Sequence, residues 1–167
     1  MSMGDRIGFY PGTFDPITLG HLDIIRRALI FMDKVIIGVA PNSGKNPLLP
    51  LEMRLNLASQ AIAAAKIDAG RVEIVTFDGL LVDAVARHGA GVILRGLRSN
   101  ADFDYEAQLA EANRKLLPTV ETVFILSAPE TRLTASRIVR EIARLKGDIH
   151  PFVPDIVADA VKQFLKA

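Results

Sequence analysis

The sequence predicts one α/β domain of Rossmann-like type, a doubly wound parallel sheet of five strands with two further helices closing the chain. Three observations carry this expectation. Short apolar runs alternate with longer stretches of helical period along the whole chain. The runs are nearly continuous rather than alternating, as strands buried on both faces require. A chain of 167 residues is also long enough to bury on the order of 70% of its unfolded surface without a metal or disulfide. Repeated β-α units joined by right-handed crossovers are the arrangement such a pattern builds.

The first strand is read at Ile7–Tyr10, ended by Pro11 and Gly12. A helix follows at about His21–Met32, where Leu22, Ile25, Ala28 and Leu29 recur three and four residues apart. Val35–Ala40 is the second strand, and Leu51–Lys66 the second helix beyond the irregular stretch Pro41–Pro50. The alternation continues with a strand at Val72–Phe77, a helix at Leu80–His88, a strand at Val92–Leu94 and a helix at Ala101–Leu116. Val120–Leu126 is the fifth strand, and helices at about Ala135–Lys146 and Pro154–Leu165 close the count. With no internal repeat, low-complexity tract or linker, residues 1–167 read as a single domain.

Composition narrows the function. Twenty Lys+Arg against nineteen Asp+Glu leave a net charge of +1, and the ten aromatics lie mostly in apolar runs. Coating a nucleic acid or a membrane surface needs a one-signed field, so neither partner is expected. The absence of cysteine removes disulfides, thiolate metal sites and Cys nucleophiles together. No apolar stretch approaches the ~20 residues of a membrane helix. The opening Met-Ser-Met-Gly-Asp-Arg has no apolar secretion segment, so a cytoplasmic protein is expected.

In open α/β sheets ligands bind beyond the carboxyl ends of the strands. Of the five stretches that follow the strands, four contain a basic side chain or a histidine: 10–21, 41–46, 95–98 and 127–136, leaving only 78–81 without one. On a nearly neutral protein that clustering points to a small polyanion, a phosphate ester. Two familiar phosphate motifs do not apply. Gly89-Ala-Gly91 precedes a strand instead of following one, and reads as a turn. Between Gly38 and Gly44-Lys45-Asn46 there are five residues where a P-loop needs four, and Asn46 stands where Ser or Thr would bind Mg²⁺.

Thr18-Leu-Gly-His21 is more telling. With Thr18 as N-cap, His21 is the third helical residue, inside the turn whose free N–H groups and dipole favour anions. From there it can donate to a phosphate oxygen; a solvent-exposed histidine beside a simple cap is the alternative. Asp15, Asp102 and Asp104 are not read as a metal cluster, because Asp15-Pro16 is a turn signal and the other two fit an acidic first helical turn. His88 and His150 read as structural.

The stretch from Tyr10 to His21 resembles the signature of the nucleotidyltransferase superfamily with a (His/Thr)-x-Gly-His motif and, more narrowly, its bacterial phosphopantetheine adenylyltransferase family. The likeness continues at Lys45, Leu51-Glu-Met-Arg54, Leu94-Arg-Gly-Leu-Arg98, Asp102-Phe-Asp-Tyr-Glu106, Asn113-Arg114 and the Arg140-Glu141 to Asp148 region, and so spans nearly the whole chain. It implies transfer of AMP from ATP to 4′-phosphopantetheine, giving dephospho-coenzyme A and pyrophosphate without a covalent intermediate. It further implies Thr13 and His21 about the α-phosphate, with His21 stabilising the transition state and Phe14 beside the nucleotide. ATP would also meet Gly96, Leu97, Arg98, Glu106 and the segment Thr131, Arg132, Leu133, Thr134, Ala135, Ser136 and Arg137. Phosphopantetheine would meet Thr13, Lys45, Leu81 and Arg95. Mg²⁺ is expected to arrive on ATP, coenzyme A to act as feedback ligand, and the chain to form a homohexamer. The family commonly reads Ile-Ser-Ser-Ser where this chain has Leu133-Thr134-Ala135-Ser136, so Ala135 can supply no side-chain oxygen. Transfer to another phosphorylated acceptor such as nicotinate mononucleotide, or a nucleotide-sensing module without turnover, remain the alternatives at this point.

Overall fold

The structure is a computed structural model that describes residues 5–41 and 47–166. Five strands, β1 (Ile7–Gly12), β2 (Lys34–Val39), β3 (Val72–Thr76), β4 (Val92–Leu97) and β5 (Glu121–Leu126), form one sheet in the order β3-β2-β1-β4-β5. Every pairing is parallel. The helices are α1 (Leu19–Ala28), α2 (Leu51–Ala64), α3 (Leu81–Arg87), α4 (Asn100–Leu116), α5 (Ser136–Arg144) and α6 (Asp155–Phe164). A Rossmann-like parallel α/β fold is thus what the chain adopts.

The continuous apolar runs serve two cores, because successive strand side chains point to opposite faces. Tyr10, Val35, Ile37 and Leu94 join buried residues of α1, α2, α5 and α6 on one face. Phe9, Ile36 and Ile93 meet Ala84 and Val85 of α3 on the other. Among the described residues no helix is long and apolar enough to cross a membrane.

Two strand ends differ from expectation, and both shape the cleft. Pro11 and Gly12 do not end β1, whose pairing with β2 runs on through Pro11↔Gly38 and Gly12↔Val39. Gly12 turns its carbonyl to β2, accepting from the Ala40 N–H at 2.8 Å, whereas the Pro11 carbonyl faces β4. Proline's missing N–H therefore falls where it costs no ladder bond, since β1 pairs with β4 only at Gly8 and Phe9. The fourth strand does not stop at Leu94 either. Its ladder with β5 carries Arg95, Gly96 and Leu97 opposite Phe124, Ile125 and Leu126, so Arg95 sits inside a strand. Past Phe9 and Ile93 the ladder between β1 and β4 stops, and the carboxyl ends of the two strands open a crevice where strand order reverses.

Candidate active site

That crevice is a cleft of about 530 Å³. Its lining comes from the first loop, the start of α1, the end of β4 and the start of α5, and includes Thr13, His21, Leu81, Arg95, Gly96, Arg98, Glu106 and Thr131. Thr134, Ala135, Ser136 and Arg137 complete it on the α5 side. The rim residues singled out in the sequence are thus largely brought together. Lys45, assigned to the acceptor phosphate, lies outside the described residues, as do Gly44 and Asn46 of the rejected P-loop. A larger groove of about 730 Å³ between α5 and α6 lies off this edge of the sheet.

The start of α1 defines the chemistry of His21. Thr18 is the N-cap, in extended backbone, and His21 is the third helical residue, as the spacing predicted. The two close a capping box in which Thr18 Oγ1 accepts from the His21 N–H at 3.4 Å. In return, the Thr18 N–H donates to His21 Nδ1 at 2.9 Å. Nδ1 is therefore an acceptor, and the single proton of the neutral ring resides on Nε2. Burial, with a smaller contribution from the Arg98 charge, pushes the imidazole pKa down to about 3. At neutral pH the ring is an uncharged Nε2–H donor in a cleft whose cations attract phosphate.

The sequence set Phe14 beside the nucleotide, but its ring is packed inside. It is 1% exposed, with ring centroids 4.8 Å from His21 and 5.5 Å from Tyr10. The space that Gly12 leaves is taken by this ring, since a Cβ there would lie 2.9 Å from it. Gly20 is likewise needed for protein packing, because a Cβ would collide with Thr134 Oγ1 where α1 meets the segment before α5.

Arg95 and Glu106, which the resemblance separated between two ligands, are joined. Arg95 Nε and Nη2 donate to the two carboxylate oxygens of Glu106 at 2.7 and 2.5 Å, and Nη1 reaches the Pro11 carbonyl at 3.3 Å. Burial disfavours the Arg95 charge, and this fork more than offsets it. A charged side chain at the end of a buried strand needs a partner, and here it lies nearly two helical turns into α4, beyond the reach of local reading. Arg98 is held by its own helix start, donating from N and Nε to Asp102 Oδ2 at 3.2 and 3.3 Å. Asp102 is the third residue of α4 behind the Ser99 cap, as an acidic first turn predicts.

At α5 the hydroxyls do not cap. Thr134 Oγ1 donates to the Thr131 carbonyl at 2.6 Å and Ser136 Oγ to the Pro16 carbonyl at 3.0 Å. The N-cap is Ala135, which makes no side-chain bond, so the first amides of α5 face the cleft uncapped. Leu97 is buried, and Arg132 and Leu133 are exposed and outside the cleft lining. Sequence reasoning missed Tyr10, Ser127 and Arg140 of the lining, and two buried charges beneath it, Asp15 and Arg54. Asp15 is more than a turn residue: its carboxylate accepts from the Leu48 and Leu49 N–H groups at 2.8 and 2.9 Å. Its only signal was its place in the first loop.

Comparison with known proteins agrees with this geometry. Residues 9–142 match the cytidylyltransferase-like family model. The phosphopantetheine adenylyltransferase of Parvibaculum lavamentivorans is 51% identical over 89% of this chain and 88% of its own. That of Ruegeria pomeroyi is 50% identical over 96% and 98%, and that of Stenotrophomonas maltophilia 48% over 97% and 94%. Among solved structures, a bifunctional NMN adenylyltransferase/ADP ribose pyrophosphatase from Francisella tularensis superposes with a TM-score of 0.75. It covers 98% of this chain and 50% of that one at 15% identity, which speaks for the fold alone.

Proposed function

The chain belongs to the phosphopantetheine adenylyltransferases, within the cytidylyltransferase-like family, and from that premise we propose how its cleft transfers AMP from ATP to 4′-phosphopantetheine, releasing pyrophosphate and forming dephospho-coenzyme A. The observation that carries the reading is the neutral His21 ring, its Nε2–H held for donation at the rim where β1 and β4 part.

In this reading a phosphate oxygen of the acceptor attacks the α-phosphorus, the bond to the bridging oxygen breaks, and pyrophosphate leaves with its electron pair. The chain holds two anions in line and offsets their repulsion. His21 Nε2–H donates to an α-phosphate oxygen and strengthens as charge gathers there. Thr13 contacts both reacting phosphates through its hydroxyl. Arg98, Arg137 and the uncapped amides of α5 take the triphosphate, while Gly96, Leu97 and Phe14 contribute through backbone or by supporting the ring of His21. The segment 131–136 shapes the nucleotide side. Arg95, presented by Glu106, and Leu81 take the acceptor, with Lys45.

Mg²⁺ enters as part of the ATP substrate. The carboxylates nearest the cleft are engaged by protein partners, Glu106 with Arg95, Asp102 with Arg98 and Asp15 with two amides, which suits an ion that keeps its water and rides on phosphate. Coenzyme A shares the phosphopantetheine arm of the product and can occupy the same cleft as a feedback ligand. The exposed Tyr105, Leu109 and Leu116, which share one side of α4, supply an apolar face for assembly as a homohexamer. In this reading the work is cytoplasmic and is carried out by one catalytic domain.

A coupled pyrophosphate assay with two acceptors tests the assignment. Release with ATP and 4′-phosphopantetheine, and none with nicotinate mononucleotide, is the expected result; the reverse preference overturns it.

A further inference from the structure

Arg54, in the first turn of α2, is 1% exposed and the largest fully buried side chain. No carboxylate among the described residues forms an ion pair with it. Its guanidinium instead donates to three carbonyls: Nη1 to Thr13 and Ala40, each at 2.8 Å, and Nη2 to Pro41 at 2.7 Å. Among the described residues its Nε has no partner. A buried cation held by carbonyl dipoles, with the Asp15 charge nearby but not paired to it, is an expensive way to fill space, and an apolar side chain of similar volume serves stability at least as well. What it grips suggests why it is there.

Thr13 O and Ala40 O lie just past the ends of β1 and β2, so one planar fork ties two loops of the catalytic rim together. The residue after Thr13 is strained. Phe14 has φ of +45°, in the left-handed region that a side-chain-bearing residue adopts only at an energetic cost. That angle describes rotation about the Phe14 N–Cα bond, so it sets the tilt of the Thr13–Phe14 peptide plane. Arg54 holds the carbonyl of that same plane, while the buried Phe14 ring holds its other side. Thr13 lines the cleft and Arg54 does not.

We infer that Arg54 is a positioning residue for the reaction: its fork holds the strained Thr13–Phe14 peptide so that the Thr13 hydroxyl meets the reacting phosphates. The inference rests on the reading of Thr13 given above. Misplacing such a group by about 1 Å can cost on the order of 10²-fold in rate.

The test is a double-mutant cycle between Arg54→Lys and Thr13→Val. Lysine keeps the cation but cannot serve three carbonyls with a planar fork. Arg54→Lys should lower kcat about tenfold or more while KM for ATP stays within about twofold. In the Thr13→Val background the same change should cost less than about twofold, because a hydroxyl already removed cannot be misplaced. Fully additive losses, or an Arg54→Lys enzyme with undiminished kcat, overturn the inference. Amide hydrogen exchange reads the grip without turnover. In Arg54→Met, exchange across Thr13 and Phe14 should speed up about tenfold while β4 is unchanged, and unaltered exchange also overturns it. Wild-type protein that releases no pyrophosphate with phosphopantetheine would refute the assignment of function instead, and the exchange measurement would still decide the role of Arg54.

Discussion

The Thr18 N–H leaves the His21 ring one way to carry its proton, and the Glu106 carboxylate leaves the Arg95 fork one face to offer a phosphate. Both are consequences of a single neighbour, and the second can be separated by mutation. Arg95→Ala should raise KM for phosphopantetheine more than tenfold with KM for ATP changed less than about threefold. It also leaves Glu106 as an unpaired, largely buried carboxylate that repels the incoming phosphate. Adding Glu106→Gln should therefore recover part of the lost affinity, and steady-state kinetics on the single and double variants check this. Equal losses for both substrates would contradict the division of labour. At this scale the sequence was legible where the partner is local. Thr18 with His21, and Ser99 with Asp102, follow from a helix start. Glu106 for Arg95, and Thr13 for Arg54, join residues that only the folded chain brings together, and no spacing encodes them.

Among the elements, α5 is where local chemistry and function pull in opposite directions. Its N-cap is Ala135, so its first amides lack a side-chain acceptor and remain open to an anion. Ala135→Asp should cap the helix and stabilise the protein by roughly 1 kcal/mol. The same carboxylate would occupy those amides and repel the triphosphate, raising KM for ATP at least tenfold. Thermal unfolding and ATP kinetics on one variant read both effects, and unchanged KM would remove α5 from the nucleotide side. The elements themselves were legible because short, unbroken apolar runs and three-and-four periodicity leave little choice of type. Their ends were not. Pro11 reads as a terminator, yet β1 continues because its lost N–H faces the gap beside β4; the fourth strand reads as ending at Leu94, yet its ladder to β5 carries on through Leu97. Strand ends depend on which neighbour is still alongside.

Across the whole molecule, the order β3-β2-β1-β4-β5 places the reversal point between β1 and β4, and the start of α1, the end of β4 and the start of α5 supply the imidazole and the guanidinium groups of one cleft. Fold class and the choice of rim were readable because alternation implies a doubly wound sheet and such sheets bind ligands at one edge. The strand order itself was not, since nothing in a strand's own composition names its neighbours. The account stands on His21 as a neutral donor to the α-phosphate, and single-turnover pyrophosphate release in His21→Ala, with saturating ATP and 4′-phosphopantetheine, tests it most directly. Release should slow by roughly 10²–10³-fold while the Kd for ATP stays within about threefold. Release at the wild-type rate would contradict it.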